Sequence, residues 1–176
     1  MKKIARKASP RVLVVVGSDS DLPAIGEAAK VLEVFEIPHE VRVSSAHRAP
    51  DKTRALARRV EEEGIEVVIA GAGQSAHLAG VLAAEVTVPV IGVPLDSGLL
   101  QGLDALLSTV MMPPGVPVAT MAVGKGGARN AGVLAVQILA VNDPPLRKKI
   151  AEYKAMLAEA VEAKDRALQT GRARGR

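Results

Sequence analysis

Two of the three histidines in this 176-residue chain stand in short polar segments that directly follow apolar runs of strand length. His47 lies in the segment Ser45-Ala46-His47-Arg48, and His77 closes the segment that begins at Gly71. Histidine exchanges protons near neutral pH, and an arginine beside it can bind a phosphate. The third histidine, His39, precedes the second apolar run, so we expect it to be structural. The two segments predict proton transfer next to an anion-binding site.

Three further polar segments follow apolar runs. They are Gly17-Ser18-Asp19-Ser20-Asp21, Pro94-Leu95-Asp96-Ser97-Gly98 and Gly124-Lys125-Gly126-Gly127. The hydroxyls of Ser18 and Ser20 and the amides of a helix start suit a phosphate, whereas carboxylates suit ribose hydroxyls. Serine and aspartate are also ordinary helix caps, so this first segment is a weak signal alone. Taken together, the segments favour an anionic, hydroxyl-bearing small molecule.

One segment also fits a different class of protein. Gly71-Ala72-Gly73-Gln74-Ser75-Ala76 matches the dinucleotide pattern G-x-G-x-x-A, and Asp96 stands where a ribose-binding acid would be expected. An NAD-binding oxidoreductase is therefore an alternative, although this segment follows the third apolar run and not the first. A non-enzymatic nucleotide-binding module is another. The chain has no G-x-S-x-G and no H-x-x-x-H spacing, so we expect neither a triad hydrolase nor a metal site.

Strand-length apolar runs alternate with helical patterns along the chain, which predicts an α/β fold with a parallel sheet. The expected strands are Val12–Val16, Val41–Ser44, Val67–Ala70, Val90–Val93 and Val118–Val123, all buried on both faces. The expected helices are Asp21–Glu36, Pro50–Glu63, His77–Val86, Leu99–Val110 and Gly127–Ala140. Ligands bind beyond the carboxyl ends of the strands in open sheets of this type. The polar segments therefore share one edge.

A long amphipathic helix is expected at the end of the chain. Asp143-Pro144-Pro145 is a helix start, and apolar residues then recur every three or four positions, at Leu146, Ile150, Tyr153, Leu157 and Val161. We predict a basic tail over residues 1–11, a catalytic domain over 12–142, this helix over 143–168 and a basic tail over 169–176. The apolar stripe either folds back on its own domain or packs on another subunit.

Composition and charge exclude several classes of function. The net charge is +4, but residues 1–11 and 172–176 hold eight of the 23 basic residues, which leaves 15 against 19 acidic residues elsewhere. Only two aromatic residues, Phe35 and Tyr153, are available for stacking, so nucleic-acid binding is not expected. The chain has no cysteine, which excludes thiol catalysis, and no apolar run reaches the length of a membrane span. We expect a cytoplasmic enzyme.

An ordered set of motifs resembles one enzyme family. The set comprises Gly17-Ser18-Asp19-Ser20-Asp21, Ser45-Ala46-His47-Arg48-Ala49-Pro50-Asp51, Ala70-Gly71-Ala72-Gly73 with Ala76-His77-Leu78, Pro89-Val90-Ile91-Gly92-Val93-Pro94, and Met112-Pro113-Pro114-Gly115-Val116-Pro117-Val118. It is similar to the carboxyaminoimidazole ribonucleotide mutases, the catalytic subunits of phosphoribosylaminoimidazole carboxylase, from about Val12 to Leu157. The resemblance implies a single three-layer α/β/α flavodoxin-like domain, a homo-octamer with the last helix between subunits, and a step of de novo purine synthesis. The Gly-Ala-Gly segment ending in Ala-His-Leu looks like the bacterial mutase branch; the alternative is a direct carboxylase that uses carbon dioxide.

The resemblance also implies a reaction and roles for residues. The carbamate on the exocyclic amine of an imidazole ribonucleotide would lose carbon dioxide in a closed pocket, and ring carbon C4 would take it up, without ATP, metal or other cofactor. His47 would be the base that removes the C4 proton. Backbone amides near Gly71, Ala72 and Gly73, with His77 and Leu78, would bind the carboxylate. The phosphate would be held by Ser18, Ser45 and Arg48 beside Ser20, and the ribose hydroxyls by Asp21.

Overall fold

A computed structural model describes residues 9–173. Its centre is a parallel sheet of five strands, β1 (Val12–Val16), β2 (His39–Val43), β3 (Val67–Gly73), β4 (Val90–Leu95) and β5 (Ala119–Thr120). The strands lie in the order β2-β1-β3-β4-β5, with every neighbouring pair parallel. This is the flavodoxin-like order, so the predicted fold class is confirmed.

Among residues 9–173, six α-helices follow or connect the strands. They are α1 (Leu22–Val34), α2 (Pro50–Glu63), α3 (Leu78–Ala83), α4 (Leu103–Val110), α5 (Gly124–Leu139) and α6 (Pro144–Ala173). Helix α2 has the bounds expected from its flanking residues. Pro50 begins it, where a missing N–H matters least, and Gly64 ends it in the left-handed conformation at φ +69°.

Helices cover both faces of the sheet, which produces the three layers. On one face, Leu13 and Val15 of β1 belong to a buried cluster with side chains of α2 and α3, among them Val60 and Leu82. On the other face, a side chain at Gly71 would come within 2.8 Å of the Cδ1 atom of Ile25 in α1. Helix α5 lies against α1 on that second face.

The contact between α1 and α5 depends on a glycine. A Cβ atom at Gly132 would lie 2.8 Å from both the Ala28 carbonyl oxygen and the Val31 Cβ atom. Such distances are shorter than real Cβ contacts, so only glycine lets the two backbones come this close. The central strands β1 and β4 are buried along their whole length between the two helical layers.

Several details differ from the expectations, among them the start of β2 at His39, two residues early, and that of α5 at Gly124, three residues early. Strand β2 is not buried on both faces, because it is an edge strand, and Val41 and Val43 are 38% and 37% exposed. Strand β5, the other edge, has only two residues. Helix α3 is six residues long and so shorter than predicted. Helix α4 begins at Leu103, four residues late, because Gln101 and Gly102 have φ of +50° and +88° and interrupt helical geometry.

The chain divides after Ile138 into two compact units, and the second contains α6. As the sequence predicts, α6 starts at Pro144, and the Asp143 carboxylate caps it by accepting the Leu146 N–H at 3.0 Å. The helix continues to Ala173, five residues beyond the expected end. Leu146 and Ile150 are buried, whereas Leu157 and Val161 are 48% and 64% exposed. Most of the predicted N-terminal tail lies outside the described residues.

Within the part of the chain that the structure describes, no helix combines the length and the apolar character needed to cross a membrane.

Candidate active site

The polar segments at the carboxyl ends of β1, β2, β3 and β4 surround one pocket of about 540 Å³. Parallel strands bring these segments together because all their carboxyl ends point to the same edge of the sheet. The lining residues are Gly17, Ser18, Ser20, Asp21, Ser45, Ala46, His47, Arg48, Ala72, Gly73, Gln74, Ala76, His77, Leu78 and Ser97. The pocket is the size of an ordinary small-molecule site.

Ten of the eleven site residues predicted from the sequence line this pocket, and Gly71 does not. Gly71 lies within the β3 ladder, where its carbonyl oxygen accepts the Gly17 N–H at 3.0 Å. The space that a side chain would need at Gly71 is occupied by Ile25. The missing side chain at this glycine therefore makes room for the packing of α1 on the sheet.

His47 and His77 form a hydrogen-bonded pair in the pocket. His47 follows β2 and His77 immediately precedes α3, and the distance from His47 Nε2 to His77 Nδ1 is 2.8 Å. The ring centroids are 5.0 Å apart, with the planes at 82°. When both rings are neutral, one of the two nitrogens carries the proton and the other accepts it, so each ring fixes the tautomer of the other. The pair can hold or pass on one proton.

Arg48 connects the loops that follow β1 and β2. Its guanidinium Nη2 donates to the Gly17 carbonyl oxygen at 3.2 Å, and its backbone N–H donates to the Ser45 hydroxyl at 3.2 Å. A guanidinium has five N–H donors in a rigid plane. Donors not used on Gly17 are available to a phosphate in the pocket, and the contact with Gly17 keeps the group in position.

Hydroxyl and carboxylate groups form a short network after β1. The Ser20 hydroxyl donates to the Ser18 oxygen at 2.9 Å, and the Ser18 hydroxyl donates to Asp19 Oδ1 at 3.1 Å. Asp19 Oδ1 also accepts the Ser20 backbone N–H at 3.1 Å. These contacts hold both serines at the pocket wall, where an incoming phosphate would compete with Asp19 for the Ser18 hydroxyl and with Ser18 for the Ser20 hydroxyl.

Asp21 is the buried carboxylate of the site, with 7% of its surface exposed. Burial raises the pKa of Asp21 above its usual value; a hydrogen bond from Ser20 opposes this, and the charges of Asp19 and Asp96 raise the pKa further. A hydrogen-bond donor from a ligand would stabilise the ionised form of this buried carboxylate. Ribose hydroxyls are such donors.

The wall formed by the ends of β3 and β4 contains residues that the site prediction missed. A Cβ atom at Gly73 would lie 1.7 Å from the Ser97 hydroxyl oxygen, so the two strand ends approach as closely as glycine allows. Gln74 and Ala76 line the pocket and have φ of +54° and +38°, in the left-handed region. Their positions next to Gly73, and that of Ser97 after β4, were the available signals.

No group of three or more His, Asp or Glu side chains among residues 9–173 is arranged to hold a metal ion. The polar groups of the pocket are instead two imidazoles, one guanidinium, one carboxylate, several hydroxyls and one carboxamide. This combination suits a phosphorylated, hydroxyl-bearing ligand and a proton transfer.

Comparisons with known proteins agree on one family. The family model for AIR carboxylase matches residues 11–160. An N5-carboxyaminoimidazole ribonucleotide mutase of Pyrococcus abyssi is 57% identical over 145 residues, which is 82% of each chain. The mutases of Mycobacterium tuberculosis H37Rv and Escherichia coli K12 are 54% and 48% identical, over 91% and 92% of this chain and 91% and 96% of theirs.

A solved structure shows the same architecture. The crystal structure of Treponema denticola PurE superimposes with a TM-score of 0.81 at 26% sequence identity, covering 89% of this chain and 96% of that one. The flavodoxin-like sheet and its helices are therefore shared with a solved relative over nearly the whole chain.

Proposed function

This chain belongs to the AIR carboxylase family, and on that premise we propose that the pocket at the carboxyl edge of its sheet is the active site of an N5-carboxyaminoimidazole ribonucleotide mutase. The mutase predicted from the sequence is confirmed by the curated relatives, which carry this name at 46% to 57% identity over most of the chain. The enzyme acts in purine biosynthesis and is an isomerase.

The reaction moves a carboxylate from nitrogen to carbon. The bond between the exocyclic nitrogen and the carboxylate carbon breaks, the nitrogen takes up a proton, and carbon dioxide is released inside the pocket. Ring carbon C4 then attacks the carbon dioxide and loses its hydrogen as a proton. One proton is delivered and one is recovered, so the conversion is balanced without an oxidant, a reductant or a nucleotide triphosphate.

The observation that carries the mechanism is the hydrogen-bonded pair of His47 and His77 in the pocket. A single group that first protonates the nitrogen and later removes the C4 proton meets the requirement of the reaction. His47 has this role in our proposal, and His77 holds its tautomer through the 2.8 Å contact. A positioned acid or base of this kind contributes roughly 100- to 10,000-fold in rate.

The remaining residues bind the nucleotide and confine the carbon dioxide. Ser18, Ser20, Ser45 and Arg48 bind the phosphate, and Asp21 accepts the ribose hydroxyls. Ala72, Gly73 and Leu78 form the wall beside the histidines, where backbone N–H groups can stabilise a carboxylate. Keeping carbon dioxide next to C4 is a proximity effect, which is worth about 7–11 kcal/mol when the geometry is good.

We also propose that the enzyme is a cytoplasmic homo-oligomer, with eight subunits as the family resemblance implies. One apolar face supports an assembly. Leu103, Leu107, Val110 and Met111 follow helical spacing along α4, and each is about half exposed or more, with Met111 at 78%. An apolar stripe of this width on a helix indicates a contact with another protein surface.

The face of α4 continues toward the active site. A groove of about 450 Å³ is lined by His77, Gly80 and Val81 on one side and by Leu107, Ser108, Met111 and Met112 on the other. A second copy that covers α4 would therefore also shield the histidine pair from water. The exposed Leu157 and Val161 on α6 provide a second apolar surface for the same assembly.

The proposed function is tested by a comparison of two substrates. The purified protein is given the carbamate nucleotide with EDTA present and without ATP, and in parallel aminoimidazole ribonucleotide with bicarbonate. We expect the 4-carboxylate to form from the carbamate faster than the carbamate breaks down by itself. Product from the second mixture alone would indicate a direct carboxylase, and tight binding without any product would indicate a binding module.

A further inference from the structure

Two polar side chains in the pocket differ from the others because nothing in the protein engages them. Ser18, Ser20, Asp21, Ser45, His47, Arg48 and His77 all take part in hydrogen bonds within the site. Gln74 and Ser97 line the same pocket and are exposed, and neither side chain has a hydrogen-bond partner among residues 9–173. Their donors and acceptors are free for a ligand.

Gln74 also keeps an unfavourable backbone conformation. Its φ is +54°, in the left-handed region that glycine adopts freely and that side-chain-bearing residues adopt at a cost. The turn that contains it is closed by the Ala76 N–H, which donates to the Gly73 carbonyl oxygen at 3.0 Å. A glycine at position 74 would form this turn with less strain. The turn therefore does not explain why this position has a side chain.

The neighbours of Gln74 show on which side of the pocket this residue lies. Gly73 is held against Ser97 so closely that a Cβ atom at Gly73 would lie 1.7 Å from the Ser97 hydroxyl oxygen. His77 follows Gln74 by three residues in the same connection between β3 and α3. Gln74 therefore belongs to the histidine side of the pocket, whereas Ser18, Ser45 and Arg48 come from the loops after β1 and β2.

We propose that Gln74 is a specificity-determining residue whose carboxamide N–H donates a hydrogen bond to the migrating carboxylate. The inference rests on the proposed function, because it needs a ligand with a carboxylate near the histidine pair. A carboxamide suits this position because it donates without carrying a charge. It can therefore bind the carboxylate on nitrogen and later on carbon without adding a fixed cation that would oppose the release of carbon dioxide.

The test variant is Gln74→Gly, which removes the carboxamide and relieves the backbone strain in one change. Hydrogen bonds to charged groups contribute about 1.5–3 kcal/mol, so we expect binding of the 4-carboxylate nucleotide to weaken by roughly 10- to 100-fold. Binding of aminoimidazole ribonucleotide, which has no carboxylate, should change by less than about 2-fold. The thermal midpoint should rise, because glycine adopts the turn freely.

A matched control is Gln101→Gly. Gln101 has φ +50° and an exposed side chain, but it does not line the pocket. This variant should also raise the thermal midpoint, with both nucleotides bound as in the wild-type protein. A second variant, Gln74→Glu, keeps the shape of the side chain but puts a like charge beside the carboxylate, so it should weaken carboxylate binding more than Gln74→Gly does.

Two outcomes overturn the inference. One is Gln74→Gly binding the 4-carboxylate nucleotide as tightly as the wild-type protein. The other is equal weakening for the nucleotides with and without the carboxylate, which would make Gln74 a residue that only shapes the pocket. Wild-type turnover is measured in the same series. If the wild-type protein converts the carbamate and Gln74→Gly is unaffected, this inference fails and the proposed function stands; if the wild-type protein is inactive, the proposed function fails first.

Discussion

At the scale of residues, our proposed mechanism depends on two histidines that form a hydrogen bond with each other. The 2.8 Å contact between His47 Nε2 and His77 Nδ1 requires one nitrogen to donate and the other to accept, so the tautomers of the two rings are coupled. The types of these residues and their places after β2 and β3 were predictable from the sequence, because parallel strands align their carboxyl ends. Their hydrogen bond was not, because it depends on side-chain directions within two separate loops.

The role of His47 is tested by His47→Asn. Asparagine keeps a hydrogen-bonding side chain but cannot exchange a proton near neutral pH, so turnover should fall roughly 100-fold or more while nucleotide binding is largely kept. His39→Asn is the control, because His39 lies at the start of β2 and bonds to the Ile37 carbonyl oxygen, away from the pocket. Steady-state turnover and calorimetric binding check both variants. Loss of binding with turnover of bound substrate preserved would refute the role.

Asp21 predicts a pH dependence of stability. Burial raises its pKa in the folded protein, so its ionised form is less stable folded than unfolded, and this penalty is complete above the raised pKa. The penalty shrinks as pH falls through the raised pKa and vanishes below the unfolded value. Asp21→Asn should therefore increase the free energy of unfolding at neutral pH, with a gain that disappears in acid. Denaturant titrations at several pH values measure the difference.

The exposed Asp51 provides a control for Asp21. Its side chain is 96% exposed at the start of α2, so Asp51→Asn should produce no gain at neutral pH. Protonation of Asp21 should also affect nucleotide binding. If ribose hydroxyls donate to an ionised Asp21, nucleotide affinity falls as pH drops through the raised pKa. An Asp21→Asn protein that gains no stability at pH 7, or gains equally at every pH, would contradict the proposed burial effect.

Two residues that line the pocket, Gln74 and Ser97, were not among the site residues predicted from the sequence. Gln74 and Ser97 have ordinary side chains, and only their folded positions distinguish them. Gln74 has a left-handed φ, and Ser97 lies against the bare backbone of Gly73. Gly71 shows the reverse case. Its motif suggested a ligand contact, but the missing side chain makes room for Ile25.

At the scale of elements, the apolar runs predicted the sheet best at its centre. Strands β1 and β4 are continuous apolar segments because both faces are covered, and their starts were predicted at the observed residues. The edges were predicted less well. Burial at an edge depends on how many neighbours a strand has, and the residue types in an apolar run do not show this. Of the two edge strands, β2 is partly exposed and β5 has only two residues. The start of α4 depends on left-handed residues in the preceding turn.

Alanine substitutions at two glycines within helices test the effect of helix propensity and the effect of packing separately. A Cβ atom at Gly26 in α1 would meet nothing within 4 Å beyond the adjoining backbone of its own helix, whereas one at Gly132 in α5 would meet α1 at 2.8 Å. Gly26→Ala should stabilise the protein by about 0.5–1 kcal/mol, because alanine favours the helix. Gly132→Ala should destabilise it by about 1–3 kcal/mol through overpacking. Unfolding free energies measure both. Equal gains would show that α1 and α5 are not in close contact.

At the scale of the whole molecule, the exposed face of α4 is the surface on which our proposed assembly depends. Leu103, Leu107 and Met111 are 53%, 52% and 78% exposed, on a helix whose neighbouring groove reaches His77. Apolar spacing on a helix was readable from the sequence, but which side is covered was not, since that depends on how α4 lies on the sheet. Assembly and catalysis are therefore linked in our proposal.

The link is tested by Leu103→Glu combined with Leu107→Glu. Two charges on this face should split the assembly into smaller species and reduce turnover, because the pocket then opens to water. Val34→Glu is the control, since Val34 is 71% exposed at the end of α1 and away from this face. Mass in solution and turnover are measured together. A double variant that keeps the wild-type mass would show that α4 is not the interface.

The most direct test of carboxylate transfer within a closed pocket uses carbamate nucleotide labelled with ¹³C in its carboxylate, turned over in an excess of unlabelled bicarbonate. The label in the 4-carboxylate product is measured at early times, with EDTA present and ATP absent. We predict that most of the product retains the label, because the carbon dioxide stays beside C4 until it is attacked. Product carrying mainly unlabelled carbon would mean that carbon dioxide escapes before it is recaptured, and would contradict the proposed mutase mechanism.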